Sequence, residues 1–293
     1  MTITSGEDLV KLAGRHASLA EAIVAHEADA QGRTKESIRL EMKTVLSVMR
    51  DAVAKGTKGD RRSLGGLIGG QAALLNAYIE RGDTLSGTTA ARAAMMALAV
   101  SEVNASMGRI VAAPTAGACG ILPGALLAAG EALGSSEDEM VDALFVASGI
   151  GMVIARNATI SGAEGGCQAE CGAAGAMAAA ACAYLKGGDA VTCINAAALA
   201  LKNELGLACD PIAGLVEVPC AKRNALKAVE ALVAADMALS GIRSVIPFDE
   251  VVLAMRHIAR EMPDTLKETA TGGLATTPTG LSLAREIFGE RKT

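Results

Sequence analysis

Seven cysteines fall between positions 119 and 220 of this 293-residue chain: Cys119, Cys167, Cys171, Cys182, Cys193, Cys209 and Cys220. A cysteine in that setting is either a metal ligand or a small buried hydrophobe. The count is odd, and Met1–Val10 is polar and acidic rather than a signal peptide, so a reducing, cytoplasmic setting without disulfides is expected. Local context separates the seven. Cys182 and Cys193 lie inside alanine-rich helical stretches and read as core. Cys167 sits in Ser161-Gly-Ala-Glu-Gly-Gly-Cys-Gln168 at the mouth of a helix. Cys209 follows the helix stop Gly206, and Cys220 precedes a helix in Val218-Pro-Cys-Ala221. Cysteines at element ends, flanked by glycine or proline, are open to a ligand in a way that mid-helix cysteines are not. Cys119, in Pro114-Thr-Ala-Gly-Ala-Cys-Gly120, fits a ligand or a packing role equally well. Cys167 and Cys171 form C-x3-C, which places both on one helical face. Neither that spacing nor the gap between Cys209 and Cys220 belongs to a zinc finger. None of the 3 histidines is near these cysteines in sequence, so a metal or iron–sulfur site is favoured over a Cys/His zinc site.

The elements that must position these thiols are helices. Residues are 51% hydrophobic but only 2% aromatic, and about a fifth are alanine, the strongest helix former. Such a composition argues against a β-sandwich or barrel. Ser18-Leu-Ala-Glu21 reads as a capping box opening a helix to about Ala28. Ile38, Met42, Val45, Met49 and Val53 recur at helical spacing, with Gly56 as a stop. Further helices are expected over Ala72–Arg81, Gly87–Val103, Glu137–Ala155 (capped by Ser135 or Ser136), Ala173–Leu185, Asp189 to Gly206, Ala225–Leu239 and Glu250–Arg260. The expectation is an all-α fold, one large alanine-rich domain of about ten helices, with residues 1–60 as an N-terminal helical region and 61–293 as the core. Three segments break the pattern: Arg109–Gly124, Arg156–Gly172 and Leu207–Asn224. Irregular backbone among buried helices needs partners for its polar groups, and ligand binding is one common reason for it. The net charge of −5 and the near absence of aromatics argue against a nucleic-acid partner. Mean hydropathy is +0.35, yet no uncharged run of 18 strongly apolar residues occurs, so no membrane span is expected.

The segments Val103-Asn-Ala-Ser-Met-Gly-Arg109, Ala113-Pro-Thr-Ala-Gly117, Ile160-Ser-Gly-Ala-Glu164, Gly166-Cys-Gln-Ala-Glu170, Gly206-Leu-Ala-Cys-Asp-Pro211, Gly214-Leu-Val-Glu-Val-Pro-Cys220, Lys222-Arg-Asn224 and Gly272-Gly-Leu-Ala-Thr-Thr-Pro-Thr-Gly280 together resemble the α chain of bacterial iron–sulfur L-serine dehydratases. The resemblance covers essentially the whole chain. It implies a [4Fe–4S] cluster held by three cysteines, which fall on Cys167, Cys209 and Cys220, with one iron left open as a Lewis acid for the substrate hydroxyl. It carries no ligand role onto Cys171 or Cys119. It implies L-serine as substrate, pyruvate and ammonia as products, a separate β subunit as partner, and a homo- or hetero-oligomer. Single-chain relatives fuse the β domain ahead of this one, and some use a C-terminal cysteine that this chain lacks after Cys220.

The substrate carboxylate and ammonium need partners as well. Thr115 is the first candidate for the carboxylate, followed by Asn104, Ser161 and Ser86; Glu164 is the candidate for the ammonium. Each also fits capping or loop hydrogen bonding. Arg109 and Arg156 could bind a carboxylate bidentately or form ion pairs. No general base is identified: His16, His26 and His257 lie in amphipathic helices and read as structural. Two other readings stay open. One is a related cluster lyase or desulfidase acting on threonine or cysteine, and the other is a non-catalytic metal-binding domain.

Overall fold

Alanine builds this molecule twice over, as helix former and as spacer. The computed structural model describes residues 2–289. The helices are α1 (Gly6–Ala13), α2 (Leu19–Gln31), α3 (Lys35–Gly56), α4 (Gln71–Ile79), α5 (Thr88–Ala105), α6 (Ile121–Leu133), α7 (Glu137–Asn157), a one-turn α8 (Gly162–Gly165), α9 (Ala173–Leu185), α10 (Ala190–Lys202), α11 (Cys220–Leu239), α12 (Phe248–Glu261) and α13 (Pro278–Phe288). The fold is all-α. Among the described residues the only extended pairing is an isolated bridge between Cys209 and Lys267. α9 runs through the centre against α6, α7, α10 and α11. Its residues from Ala173 to Ala183 are buried on every side. Methyl-sized side chains let four helices close around it. Leu9, Ile23 and Leu46 of the N-terminal helices join Leu126, Ile150 and Leu201 in one buried cluster.

Four helices go beyond those expected: α1, α6, α8 and α13. α6 was hidden by Pro123, which read as part of an irregular segment; in the first turn a proline removes no intrahelical hydrogen bond. α11 starts at Cys220 rather than Ala225, so Cys220 is its first residue and not a loop residue ahead of it. Gly56 is not a left-handed stop. It ends α3 where a Cβ would stand 2.1 Å from the Ala99 carbonyl oxygen of α5, so its role is close approach. The capping box at Ser18 forms only by half: Ser18 Oγ accepts from Glu21 N at 3.1 Å, while the Glu21 carboxylate is taken by Arg39. The full box stands at Ser136 and Glu139, at the start of α7.

Candidate active site

The three irregular segments meet at one place. Asn224 ties the first to the third: its Oδ1 accepts from Gly120 N at 2.8 Å, and its Nδ2 donates to the Gly117 carbonyl at 2.8 Å and the Cys220 carbonyl at 2.9 Å. Thr115 ties the first to the second, donating to Glu170 Oε1 at 2.6 Å. Gln168 N donates to the Leu207 carbonyl at 3.1 Å and joins the second to the third. A fourth segment, after α12, closes the group. Cys209 N donates to the Leu266 carbonyl and Glu268 N to the Cys209 carbonyl, both at 2.9 Å. The sequence marked this segment only through its Gly272–Gly280 end.

A one-turn α8 and a π-helical turn, Gln168–Gly172, carry Cys167 and Cys171 into the interior. Gly166, at φ +72°, makes the bend between them; a Cβ there would meet the Met262 sulfur at 2.6 Å. Single π turns recur at functional sites because they re-aim side chains within a helix. The Cys167 and Cys171 sulfurs lie 3.2 Å apart. Hydrogen bonds from the Cys171 and Cys209 thiols, helped by Arg223, hold the Cys167 thiol well below its usual range. The same contacts with Cys167 push Cys171 and Cys209 upward. Burial, then the nearby Cys167 charge, pushes Cys220 up to about 12. Cys119 is buried beside the group and is pushed up to about 12 by burial, with smaller contributions from Cys220 and Glu170. Cys182 and Cys193 are buried within α9 and α10, as the sequence suggested.

Glu170 is the residue that sequence reasoning missed. It is 8% exposed, and burial pushes its carboxyl up to about 7. Its Oε2 lies 4.0 Å from the Cys209 sulfur. Glu170, Cys209 and Glu268 each bring one ligand atom within 4.8 Å of the others, a mixed oxygen and sulfur set able to hold a metal ion. The sequence signal was present, because Glu170 closes the motif Gly166–Glu170, but nothing in the spacing showed which way it faces. Arg223 donates to the Ala208 carbonyl at 2.9 Å and pairs with Asp210 at 2.8 Å, fixing the Cys209 loop. Buried thiols brought in from three segments, with a guanidinium nearby to offset thiolate charge, suit an iron–sulfur cluster.

The expected substrate residues divide. Thr115 is in the group, with its hydroxyl proton given to Glu170. Asn104 donates to the Ala116 carbonyl at 3.1 Å and so holds the Thr115 loop. Ser161 precedes Gly162, at which a Cβ would stand 2.6 Å from Glu170 Oε2. Glu164 is exposed and accepts from Thr159 Oγ1 at 2.5 Å. Ser86 lies beyond the far end of α5 from Asn104, some 25 Å away at the helical rise per residue. There it lines a separate cavity of about 470 Å³ with Cys182, Lys186 and Asp236.

A sequence profile described as the serine dehydratase alpha chain matches residues 15–275. The chain belongs to this family. It is 51% identical over 92% of its length to the "Probable L-serine dehydratase, alpha chain" of Bacillus subtilis, of which it covers 90%. It is 44% identical over 88% of its length to the "L-serine dehydratase, alpha chain" of Peptoniphilus asaccharolyticus, of which it covers 88%. It is also 39% identical over 92% of its length to the "L-serine dehydratase" of Streptomyces coelicolor, and covers 60% of that longer protein.

Proposed function

We propose that this chain is the α subunit of an L-serine dehydratase that eliminates water from L-serine, with a [4Fe–4S] cluster held by Cys167, Cys209 and Cys220 and a separate β chain as partner. The observation that supports the reading is the junction of the Cys167 segment with the Leu207–Asn224 segment, where the Cys209 thiol hydrogen-bonds to Cys167 and Cys220 feels the Cys167 charge. The family and the names of the relatives support serine as the substrate and a β chain as the partner. When bound, a cluster with one open iron supplies Lewis acidity for hydroxide, otherwise a poor leaving group. The chain's own residues do the rest. Arg223 offsets thiolate charge, Asn224 and Asn104 hold the loops, and Thr115 orients Glu170. Elimination gives aminoacrylate, whose imine tautomer hydrolyses to pyruvate and ammonia. Thr115, bonded to Glu170, and Ser161, beside Gly162, stay candidates for the substrate carboxylate, while Ser86 at the far end of α5 and the exposed Glu164 do not.

The test is iron and sulfide content with turnover of serine, threonine and cysteine, made anaerobically with and without the β chain. About four irons and four sulfides per chain are expected from a single cubane cluster, with serine turnover. One zinc per chain, or sulfide release from cysteine with no turnover of serine, overturns the proposal.

A further inference from the structure

Two carboxylates face the cysteine group, and no cation answers them. Glu170 and Glu268 meet within 4.8 Å beside Cys209. Among the described residues, the nearby basic side chains are engaged elsewhere: Arg223 with Asp210 at 2.8 Å, Lys227 with Glu204 and Glu230, and Lys267 with Asp264 at 3.8 Å. Glu170 is nine-tenths buried; its Oε1 accepts from the Thr115 hydroxyl at 2.6 Å, and its Oε2 has only the long contact of 4.0 Å from the Cys209 thiol. Glu268 sits at the rim, with its backbone at φ +51° and its N–H bonded to the Cys209 carbonyl. Gly162 leaves the room both need, since a Cβ there would stand 2.6 Å from Glu170 Oε2 and 3.0 Å from Glu268 Oε2. Two carboxylates this close repel one another, and a cation between them relieves the repulsion.

We infer that Glu170 and Glu268 together receive the ammonium group of the substrate, and so select an α-amino acid over a hydroxy acid of the same skeleton. The inference rests on the proposed function, which commits the Cys209 sulfur to the cluster and leaves the two carboxylates without a metal of their own. It moves to this pair the role that the sequence suggested for Glu164, which is exposed and bonded to Thr159. An ammonium suits the geometry: it donates several hydrogen bonds, the buried carboxylate takes one and the rim carboxylate another. Glu170 lies deep and Glu268 at the rim, so a substrate entering from solvent meets Glu268 first.

The experiment uses the cluster-loaded chain with its β chain, kept anaerobic, and reads the visible absorption of the cluster during titration. The two probes are L-serine and 3-hydroxypropionate, which keeps the hydroxyl and carboxylate but lacks the ammonium. The variants are Glu268→Gln, a solvent-reached position where folding is least at risk, and Glu170→Gln. Both are expected to keep their iron and to need about 10-fold more serine or greater for half-saturation, as befits loss of a charged hydrogen bond, with the 3-hydroxypropionate titration unchanged. Serine titrations that match the wild type in both variants overturn the assignment. So does loss of iron from the Glu268→Gln variant, which makes the carboxylate a support of the metal instead. A loaded wild type that neither responds to serine nor turns it over overturns the proposed function, and this assignment with it.

Discussion

At the scale of single residues, what distinguishes the seven cysteines is their neighbours. Cys167 has two thiols and a guanidinium around it, and these favour its thiolate. Cys182 and Cys193 have only burial acting strongly on them, which pushes each up to about 12. A metal ligand must be deprotonated, which the surroundings of Cys167 favour; Cys209 hydrogen-bonds to that thiol and Cys220 feels its charge, so these two stand in the same group, while Cys182 and Cys193 lie apart in α9 and α10. Replacing Cys167, Cys209 or Cys220 by alanine is therefore expected to abolish iron and sulfide retention, whereas Cys182→Ala and Cys193→Ala retain both. Iron and sulfide analysis after anaerobic reconstitution reads the difference. Uniform behaviour of all five variants refutes the ligand assignment. Cys171 is the informative extra case. It lies 3.2 Å from Cys167 without being one of the proposed ligands, and the contact explains why C-x3-C spacing alone left its role open.

At the scale of elements, helix ends are closed by partners both near and far in sequence. Local caps were readable: Ser136 with Glu139, and Asp189 with Thr192 N at 2.8 Å. α4 is closed differently. Its first residues have no side-chain cap of their own, and Gly70, Gln71 and Ala72 donate their N–H groups to the Glu102 carboxylate of α5 at 3.0, 2.6 and 3.2 Å. Glu102 is 1% exposed. Burial pushes its pKa up, and the three N–H groups act against that push. Glu102→Ala removes the acceptor for all three donors and is expected to lower stability by about 2–3 kcal/mol. Denaturant unfolding measures it; a midpoint equal to that of the wild type contradicts the account.

At the scale of the whole molecule, the site is a product of assembly. Its thiols and carboxylates are held by backbone that crosses between segments more than a hundred residues apart, through side chains such as Asn224. That residue is 1% exposed and serves three backbone groups from two segments. Asn224→Ala leaves those groups buried without partners. It is expected to cost about 2–3 kcal/mol of stability and to reduce iron retention, although Asn224 is not itself a proposed ligand. Thermal unfolding and iron content, measured on the same preparation, check both halves of the expectation. Unchanged stability would show that the clasp is dispensable. No described helix is long and apolar enough to cross a membrane, so the apolar composition goes into packing α9 and its neighbours.

The sequence by itself determined the all-α class and most of the longer helices, because alanine content, periodicity and local caps act within a few residues; α1, α6, α8 and α13 escaped it. It also marked the three stretches that hold the irregular backbone, because glycine, proline and cysteine cluster in them, although α6, α8 and α11 begin inside those stretches; its ordered motifs were enough to show the family resemblance. Only the tertiary structure decided what those segments face. Glu170 turns toward Cys209 and Thr115, Glu164 turns toward Thr159, and Ser86 lies at the far end of α5. Local propensity carries no information about partners a hundred residues away. The direction in which a buried carboxylate points is set by the packing of helices against one another, and that packing exists only once the chain has closed on itself.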